Sequence, residues 1–371
     1  MSRAKQRWLP ALLIPLALIA AILVGSIQAG AAPSLPPKSA AEILAMIAKT
    51  SVRAFSGTVS QEANLGLPDV GTGVGAAAGA GSALEFLSGS HTARVYVDAP
   101  GQARVQVLDR MAERDVIVNG TDAWFYNSSD NSVVHAALPS RTGTSGTEVP
   151  PARQPRYGEL TPEALATRFL AAVDSSTEVT VGGASTVAGR SAYSLTLTPR
   201  SADTLVDSVT INADSETGFP LGVTVKAKGQ AEPAYSLAFT ELVLSAPDAA
   251  LFTFTPPAGA TVKEEIVAAK PAPPLPVPET TTPAPDAPRA MPLPHPGPSI
   301  TGEGWGSVMA LPAGSAPAGL LSNPQLSQVL QPVAGGRALT TSLVSVLILD
   351  DGRVLAGMVP LDRLESAAAA G

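Results

Sequence analysis

The stretch Thr92-Ala-Arg-Val-Tyr-Val-Asp-Ala-Pro-Gly-Gln-Ala-Arg-Val-Gln-Val-Leu108 decides the fold of this chain. It contains two short runs in which apolar and polar residues alternate, separated by a turn. The same alternation returns at residues 192–198 and 235–240. Because side chains of a strand point alternately to its two faces, this pattern predicts a large antiparallel sheet with one buried face.

The connections between these runs are short. Asn119-Gly120 is a hairpin turn signal ahead of a strand at residues 122–126, and Ser128 to Asn131 forms the next turn. Short connections make consecutive strands neighbours, so the first part of the sheet is predicted to be a meander. The first strand of this part is predicted at residues 55–62. A second set of antiparallel strands is predicted at residues 178–187, 191–198, 206–213, 221–228, 235–244 and 251–255.

Two helices accompany the strands. Ser39 and Glu42 have the spacing of a capping box, which predicts an amphipathic helix over residues 40–52. Thr161-Pro-Glu163 supplies an N-cap, a proline in the first turn and an acidic residue, and so predicts a second helix. The apolar side chains that share a face of this second helix are Leu165, Phe169 and Val173.

The N-terminus has the pattern of an export segment. Arg3, Lys5 and Arg7 precede an apolar stretch at residues 8–27, and no further charge occurs before Lys38. Basic residues stay on the cytoplasmic side, so the rest of the chain is expected to be extracytoplasmic, in the cell envelope or secreted. Residues 1–31 are interpreted either as a signal peptide cleaved near 29–32 or as a retained membrane anchor.

Proline divides the rest of the chain. Twelve of the 29 residues from Lys270 to Pro298 are proline, which predicts an extended linker at 266–299 between a main domain at 38–265 and a small C-terminal segment at 300–371. That segment is predicted to contain a strand at 304–309, a hairpin over 343–359 and a final short helix. Two or three strands are marginal alone, so this piece is expected to dock on the main sheet or on a partner.

Composition excludes several classes of function. The formal net charge of −7 argues against a nucleic-acid partner, and the absence of cysteine excludes disulfides, thiolate metal sites and a lipid-modified cysteine.

The three histidines, His91, His135 and His295, stand in no catalytic or metal-binding motif. The glycines at 71–81 lack the lysine and the following helix of a phosphate-binding loop. We therefore expect no cofactor, no metal and no enzymatic activity.

Trp124-Phe-Tyr126 is the densest aromatic group of the chain. On a strand, Trp124 and Tyr126 face one way and Phe125 the other. One of these two sets is expected to line a pocket while the other meets covering structure. The alternative is that the whole group belongs to an ordinary core.

Several stretches together resemble the actinobacterial branch of the LolA-like superfamily, which includes lipoprotein carriers, lipid-binding lipoproteins and RseB-type envelope-stress regulators. The resemblance covers roughly residues 38 to 265 and rests on the order and spacing of short motifs. These are Phe55-Ser-Gly-Thr-Val59, Asn64-Leu-Gly-Leu-Pro68, Leu87-Ser-Gly-Ser-His91, Val118-Asn-Gly120 with Trp124-Phe-Tyr126, Thr161-Pro-Glu163, Thr217-Gly-Phe-Pro-Leu221 and Phe252-Thr-Phe-Thr-Pro-Pro-Ala-Gly-Ala260.

The resemblance implies an α+β, mostly β fold: an unclosed antiparallel β-barrel of about eleven strands with helices on its concave side. In that family the apolar concavity receives acyl chains. It further implies that the two helices act as a lid and that Phe55, Trp124, Tyr126 and Phe169 are candidate residues of a lipid groove. The chain departs from the lipoprotein members because it has no lipobox cysteine.

Two functions follow as hypotheses. The first is an exported carrier or binding protein for a lipid or an acylated protein, with a lipid or acyl chain, and for a carrier a lipoprotein, as its partner. The alternative is an envelope-stress regulator or scaffold of RseB type, which senses a ligand and binds a membrane regulatory protein, for example by adding a strand to an exposed sheet edge.

Overall fold

The computed structural model describes residues 33–67, 88–108, 112–137, 161–171, 173–266, 298–314 and 329–370. The predicted export segment, the glycine-rich loop and nearly all of the proline-rich linker lie outside these ranges. Of the described helices, none is long and apolar enough to cross a membrane. The division into domains at 38–265, 266–299 and 300–371 stays a prediction.

The main sheet contains thirteen strands and is not closed into a barrel. Twelve of them follow one path in the order β13-β6-β5-β4-β3-β2-β1-β12-β11-β10-β9-β7, and β8 pairs with β9 beside it. The strands are β1 (Ala54–Ala63), β2 (Gly89–Asp98), β3 (Gln102–Leu108), β4 (Glu113–Asn119), β5 (Asp122–Asn127), β6 (Ser132–Ala137), β7 (Thr177–Val181), β8 (Ser185–Val187), β9 (Arg190–Pro199), β10 (Val206–Asp214), β11 (Pro220–Ala227), β12 (Tyr235–Val243) and β13 (Thr261–Ile266). The predicted half-barrel class and the meander of β1 to β6 are confirmed.

One predicted strand is wrong and another was missed. Residues 251–255 do not form a strand, because Asp248 accepts a hydrogen bond from the Ala250 amide and caps a 3₁₀ turn at Ala249–Phe252. The chain then adds β13 to the edge of the sheet, parallel to β6. The alternation rule did not reveal β13 because it is an edge strand rich in charge and its partner lies about 130 residues earlier in the sequence.

The two predicted helices of the main domain are present as α1 (Ala40–Ala48) and α2 (Pro162–Ala171). The capping box is formed, with the Ser39 hydroxyl accepting from the Glu42 amide and the Glu42 carboxylate accepting from the Ser39 amide at 2.7 Å. The hydrogen bonds that the Ser39 amide and hydroxyl donate to the carboxylate lower the pKa of Glu42. α1 ends at Ala48 rather than at residue 52, because the Lys49 amide closes the last turn and the chain then extends toward β1.

Both helices pack on the same face of the sheet, which is the inner face of the half-barrel. Ile43 and Ile47 of α1 and Ala166 of α2 share one buried cluster with side chains of β9, β10 and β11. The contacts of α1 are mainly with β7 and β9, and those of α2 mainly with β11 and β12. α1 and α2 therefore cover the second half of the main sheet, which is formed by β7 to β12.

The turn between β10 and β11 supports α1. Gly218 has a φ of +72°, and a Cβ atom there would lie 2.3 Å from the Met46 carbonyl oxygen, so only glycine fits under the helix. Asp214 accepts from the Thr217 amide at 2.8 Å and binds Arg190. Burial raises the pKa of Asp214, but the hydrogen bonds from Arg190 and Thr217 outweigh it and hold the pKa below its ordinary value.

The C-terminal segment is larger than the predicted hairpin. It forms a six-stranded sheet in the order β14-β15-β19-β18-β17-β16, on which a third helix packs. The elements are β14 (Ser299–Thr301), β15 (Val308–Leu311), β16 (Gln331–Val333), β17 (Gly336–Thr340), β18 (Ser345–Leu349), β19 (Val354–Gly357) and α3 (Leu361–Ala370). The hairpin β18–β19 and the final helix are confirmed, whereas Gly304–Gly306 is a 3₁₀ turn and only the end of the predicted 304–309 strand is extended.

The C-terminal sheet docks on the main domain through side-chain and backbone contacts. Trp305 is buried in the same cluster as Ile43 and donates its indole N–H to the Thr177 hydroxyl at 2.8 Å. The Met358 carbonyl accepts from the Thr204 hydroxyl at 2.7 Å and from the Leu205 amide at 2.9 Å. The expectation that this segment docks on the main sheet is met.

Candidate functional site

An unbroken apolar row crosses the inner face of the first half of the sheet. Val95 pairs with Val105, Val105 with Val116, Val116 with Phe125, and Phe125 with Val134. Directly paired residues lie on the same face, so these five side chains form one line across β2 to β6. At a strand spacing of about 4.8 Å, the line is about 19 Å long. We call it the inner apolar row.

Burial decreases along the inner apolar row. Val95 and Val105 are 0% and 2% exposed and belong to the core cluster that contains Phe55 and Phe239. Val116, Phe125 and Val134 are only half-buried. Val116 and Val134 join none of the three core clusters formed by described residues. The row thus begins in the core, and its last three members, on β4, β5 and β6, are only half-buried.

The neighbouring row on the same face is made largely of small residues. It runs through Val97, Ala103, Val118, Ala123 and Ala136. Alanine at three of these positions lowers the surface beside the inner apolar row. Ala123 and Ala136 are themselves buried, at 1% and 4% exposed, so the surface of the shallow apolar trough that the two rows form comes from the larger side chains.

The outer face of the same strands is filled. Ile117 and Val133 are buried there, and the segment that follows β12 contacts β3, β4 and β5. Arg104 binds the buried Asp115 and donates a further hydrogen bond to the Leu251 carbonyl at 3.1 Å. Burial raises the pKa of Asp115, and the hydrogen bond from Arg104 opposes this rise. This face is a packed core.

The four candidate groove residues are not brought together by the fold. Phe55 lies on the inner face and is buried against Phe219 and Phe239, with ring centroids 4.9 Å and 5.9 Å away. Trp124 and Tyr126 lie on the outer face, where both contact Phe254. Phe169 of α2 lies in a third place, with its ring 6.0 Å from that of Trp305. Of the aromatic triplet, only Phe125 faces the trough.

Two histidines lie in the described part of the chain. His135 stacks on Trp124 at 3.8 Å between ring centroids, and its ring nitrogens lie 2.8 Å from Glu264 and 3.1 Å from Asp122. His91 contacts the Ser88 carbonyl through Nε2 at 3.0 Å. No group of three metal-ligating side chains is placed to hold an ion among the described residues. The expectation that the chain is not an enzyme stays a prediction.

Two ionisable groups on the elements that form the inner face have pKa values raised by burial. Burial raises the pKa of Tyr235, on β12, to about 12. Burial also raises the pKa of Glu163, in the first turn of α2, although Arg53 opposes the shift. The charged forms of Tyr235 and Glu163 are therefore disfavoured by burial where α2 meets the sheet.

Sequence reasoning missed the valines of the trough. Each is an ordinary strand residue, and the alternation of β4 or β6 alone does not say which face is inner. The register through β2 and β3 connects Val116 to the face of Phe55, and that register could not be read from composition. The usable signal was the hairpin turn at Asn119-Gly120, which fixes the pairing of β4 with β5.

The fold and the trough define a half-barrel with an apolar inner surface. No protein-family model and no curated protein matches the chain. Among solved structures, the chain is similar to one from the complex of MucA and MucB of Pseudomonas aeruginosa, at 17% identity and a TM-score of 0.44, over 89% of this chain and 96% of that one.

It is also similar to a LolA superfamily protein from Nitrosomonas europaea, at 12% identity and a TM-score of 0.23, over 59% of this chain and 99% of that one. A putative outer membrane lipoprotein-sorting protein domain from Vibrio parahaemolyticus matches at 10% identity and a TM-score of 0.22, over 57% of this chain and 97% of that one. The similar structures thus include the superfamily that the sequence resembles, and they do not test the actinobacterial branch. Identities and TM-scores this low assign no function.

Proposed function

We propose that this protein is an extracytoplasmic binding protein or carrier for a lipid or for the acyl chain of an acylated protein, held on the inner face of the half-barrel. The observation on which the proposal rests is the inner apolar row, in which Val116, Phe125 and Val134 are apolar and only half-buried. The basic and then apolar N-terminus supports an extracytoplasmic location.

The energetics of such a site need no specific polar group. Burying a methylene contributes about 0.8 kcal/mol, so ten methylenes laid along the trough contribute about 8 kcal/mol before the cost of ordering the chain. Recognition by apolar area also agrees with the lack of polar side chains in the inner apolar row. Specificity for a particular head group would have to come from residues at the ends of the trough.

Placing charge on the trough tests this proposal. Val116→Asp combined with Val134→Asp is expected to weaken binding of a fluorescent long-chain fatty acid at least tenfold, because an acyl chain would have to desolvate two carboxylates. Val243→Asp is the matched control, since Val243 is 57% exposed at the end of β12. It should leave the affinity unchanged.

A second variant separates binding from folding. Val116→Thr with Val134→Thr keeps the side-chain shape and adds only hydroxyl groups, so the fold is retained with a weaker apolar surface. We expect a smaller but measurable loss of affinity and an unchanged far-UV circular dichroism spectrum. Full affinity in the folded double aspartate variant would exclude the trough as the binding site.

The stacking of Trp305 on Phe169 favours a second candidate function, a regulator of RseB type. This contact joins the C-terminal sheet to α2, which covers the inner face. A ligand that displaces α2 would then be sensed at the docking contacts of Met358. Loading with fatty acid is expected to speed amide exchange at Leu205, whose N–H binds the Met358 carbonyl. Equal exchange rates with and without ligand would rule out this coupling.

A further inference from the structure

A cavity of about 510 Å³ lies between α3 and the strands β14, β15 and β19 of the C-terminal sheet. This volume is in the range of about 300 to 1,000 Å³ that small ligands occupy in proteins. The cavity lies on a different sheet from the trough.

The floor of the cavity is apolar and its wall is one face of a helix. Val308, Ala310 and Leu355 form the floor, and Val308 and Leu355 are buried. The wall consists of residues of α3 that follow one another at the spacing of a single helical face. They are Arg363, Ser366, Ala367 and Ala370. At 1.5 Å per residue this face is about 10 Å long.

Two guanidinium groups give the cavity its charge. Arg363 and Arg353 both line it, and no carboxylate does so among the described residues. Arg353 donates from Nε to Asp351 at 2.7 Å, which leaves its terminal nitrogens without a described partner. The Arg363 side chain makes no hydrogen bond or ion pair with a described residue. Hydroxyl groups of Ser299 and Thr301 complete the polar part of the lining.

The cavity on the other side of α3 provides a comparison. It has a volume of about 500 Å³ and is lined by Glu365, Asp351 and Arg353, so its carboxylates outnumber its cations. The two cavities are alike in size and share the same helix. Their charges differ in sign, and only the first is suited to an anion.

We propose that the first cavity binds a single-chain anionic amphiphile, with its aliphatic chain on the apolar floor and its anionic head on Arg363 and Arg353. Guanidinium groups bind carboxylate and phosphate in the same bidentate manner, so either head fits. This site is separate from the trough on the main sheet, and it does not depend on the proposed function.

The test uses the full chain with the trough blocked by Val116→Asp and Val134→Asp, so that binding on the main sheet does not contribute. Calorimetric titration with dodecanoate is expected to show one site. Arg363→Gln should weaken this binding at least tenfold, whereas Arg337→Gln, on the exposed side of β17, should not change it. Titration with dodecyl phosphate in place of dodecanoate shows which head is preferred, and binding of either supports the proposal.

Steric variants of α3 supply a second readout. Ala370→Trp fills the first cavity and should abolish binding, while Ala369→Trp fills the second and should leave it intact. The proposal is overturned if the blocked protein binds neither amphiphile, if 1-dodecanol binds as tightly as dodecanoate, or if the two tryptophan variants behave alike. A protein that fails in the trough assay but passes this one would refute only the lipid site on the main sheet.

Discussion

Replacing Asp115 with alanine is expected to lower the free energy of unfolding by about 3 to 5 kcal/mol, because it leaves the charge of Arg104 largely buried without its partner. Asp115 is 2% exposed and accepts from two nitrogens of the same guanidinium, which also holds the Leu251 carbonyl. Loss of this carboxylate should therefore also loosen the segment that covers the outer face. Denaturant unfolding, followed by circular dichroism, measures the change.

A double variant distinguishes the cost of leaving the Arg104 charge unpaired from the net contribution of the ion pair to the free energy of unfolding. Arg104→Met with Asp115→Leu removes both charges and should recover most of the stability, since apolar groups of similar volume can replace a buried ion pair. Asp351→Ala, which breaks an exposed arginine–aspartate pair, should have a much smaller effect than Asp115→Ala. Equal effects of the two alanine variants would show that the ion pair of Asp115 and Arg104 contributes no more to stability than an exposed pair.

Replacing Trp305 with alanine is expected to cost about 3 to 5 kcal/mol, the range for removal of a large aromatic side chain from a core. Trp305 is 5% exposed and fills the cluster where the C-terminal sheet meets α2. Thermal unfolding monitored by near-UV circular dichroism should show a lower transition. Protection of the Leu205 amide should fall at the same time, because the docking contacts are weakened.

The conservative variant of Trp305 distinguishes packing from hydrogen bonding. Trp305→Phe keeps the aromatic contact with Phe169 and loses the N–H bond to Thr177, so a loss of about 1 kcal/mol is expected. A loss below about 1 kcal/mol in Trp305→Ala would contradict the docking of the two sheets through this residue.

Local patterns were sufficient for most elements of the main sheet. Alternation located the strands around Val95, Val105 and Leu195, and the capping residues Ser39 and Thr161 located both helices. These signals work because they are local: a strand with one buried face must alternate, and a helix must satisfy its first amide groups. The half-barrel class was implied by the resemblance, and the strand pattern alone indicated only a large antiparallel sheet.

Local patterns did not predict which residues that are far apart in the sequence become neighbours in the structure. The resemblance implied that Trp124 and Tyr126 are groove residues, but the register places them on the face of the sheet opposite to that of Phe55. Their true neighbour, Phe254, lies in a segment that was predicted to be a strand. The six-stranded C-terminal sheet was missed for a similar reason, because its strands are only three to five residues long and β15 pairs with a strand more than 40 residues later.

Organic extraction of the full chain, purified without detergent, followed by mass spectrometry tests the central claim most directly. We expect a lipid or fatty acid in stoichiometric amount, which is lost in the variant with Val116→Asp and Val134→Asp and regained when the delipidated wild-type protein is reloaded. Clean extracts from the wild-type protein, both as purified and after incubation with lipid, would contradict a binding function for the inner face of the half-barrel.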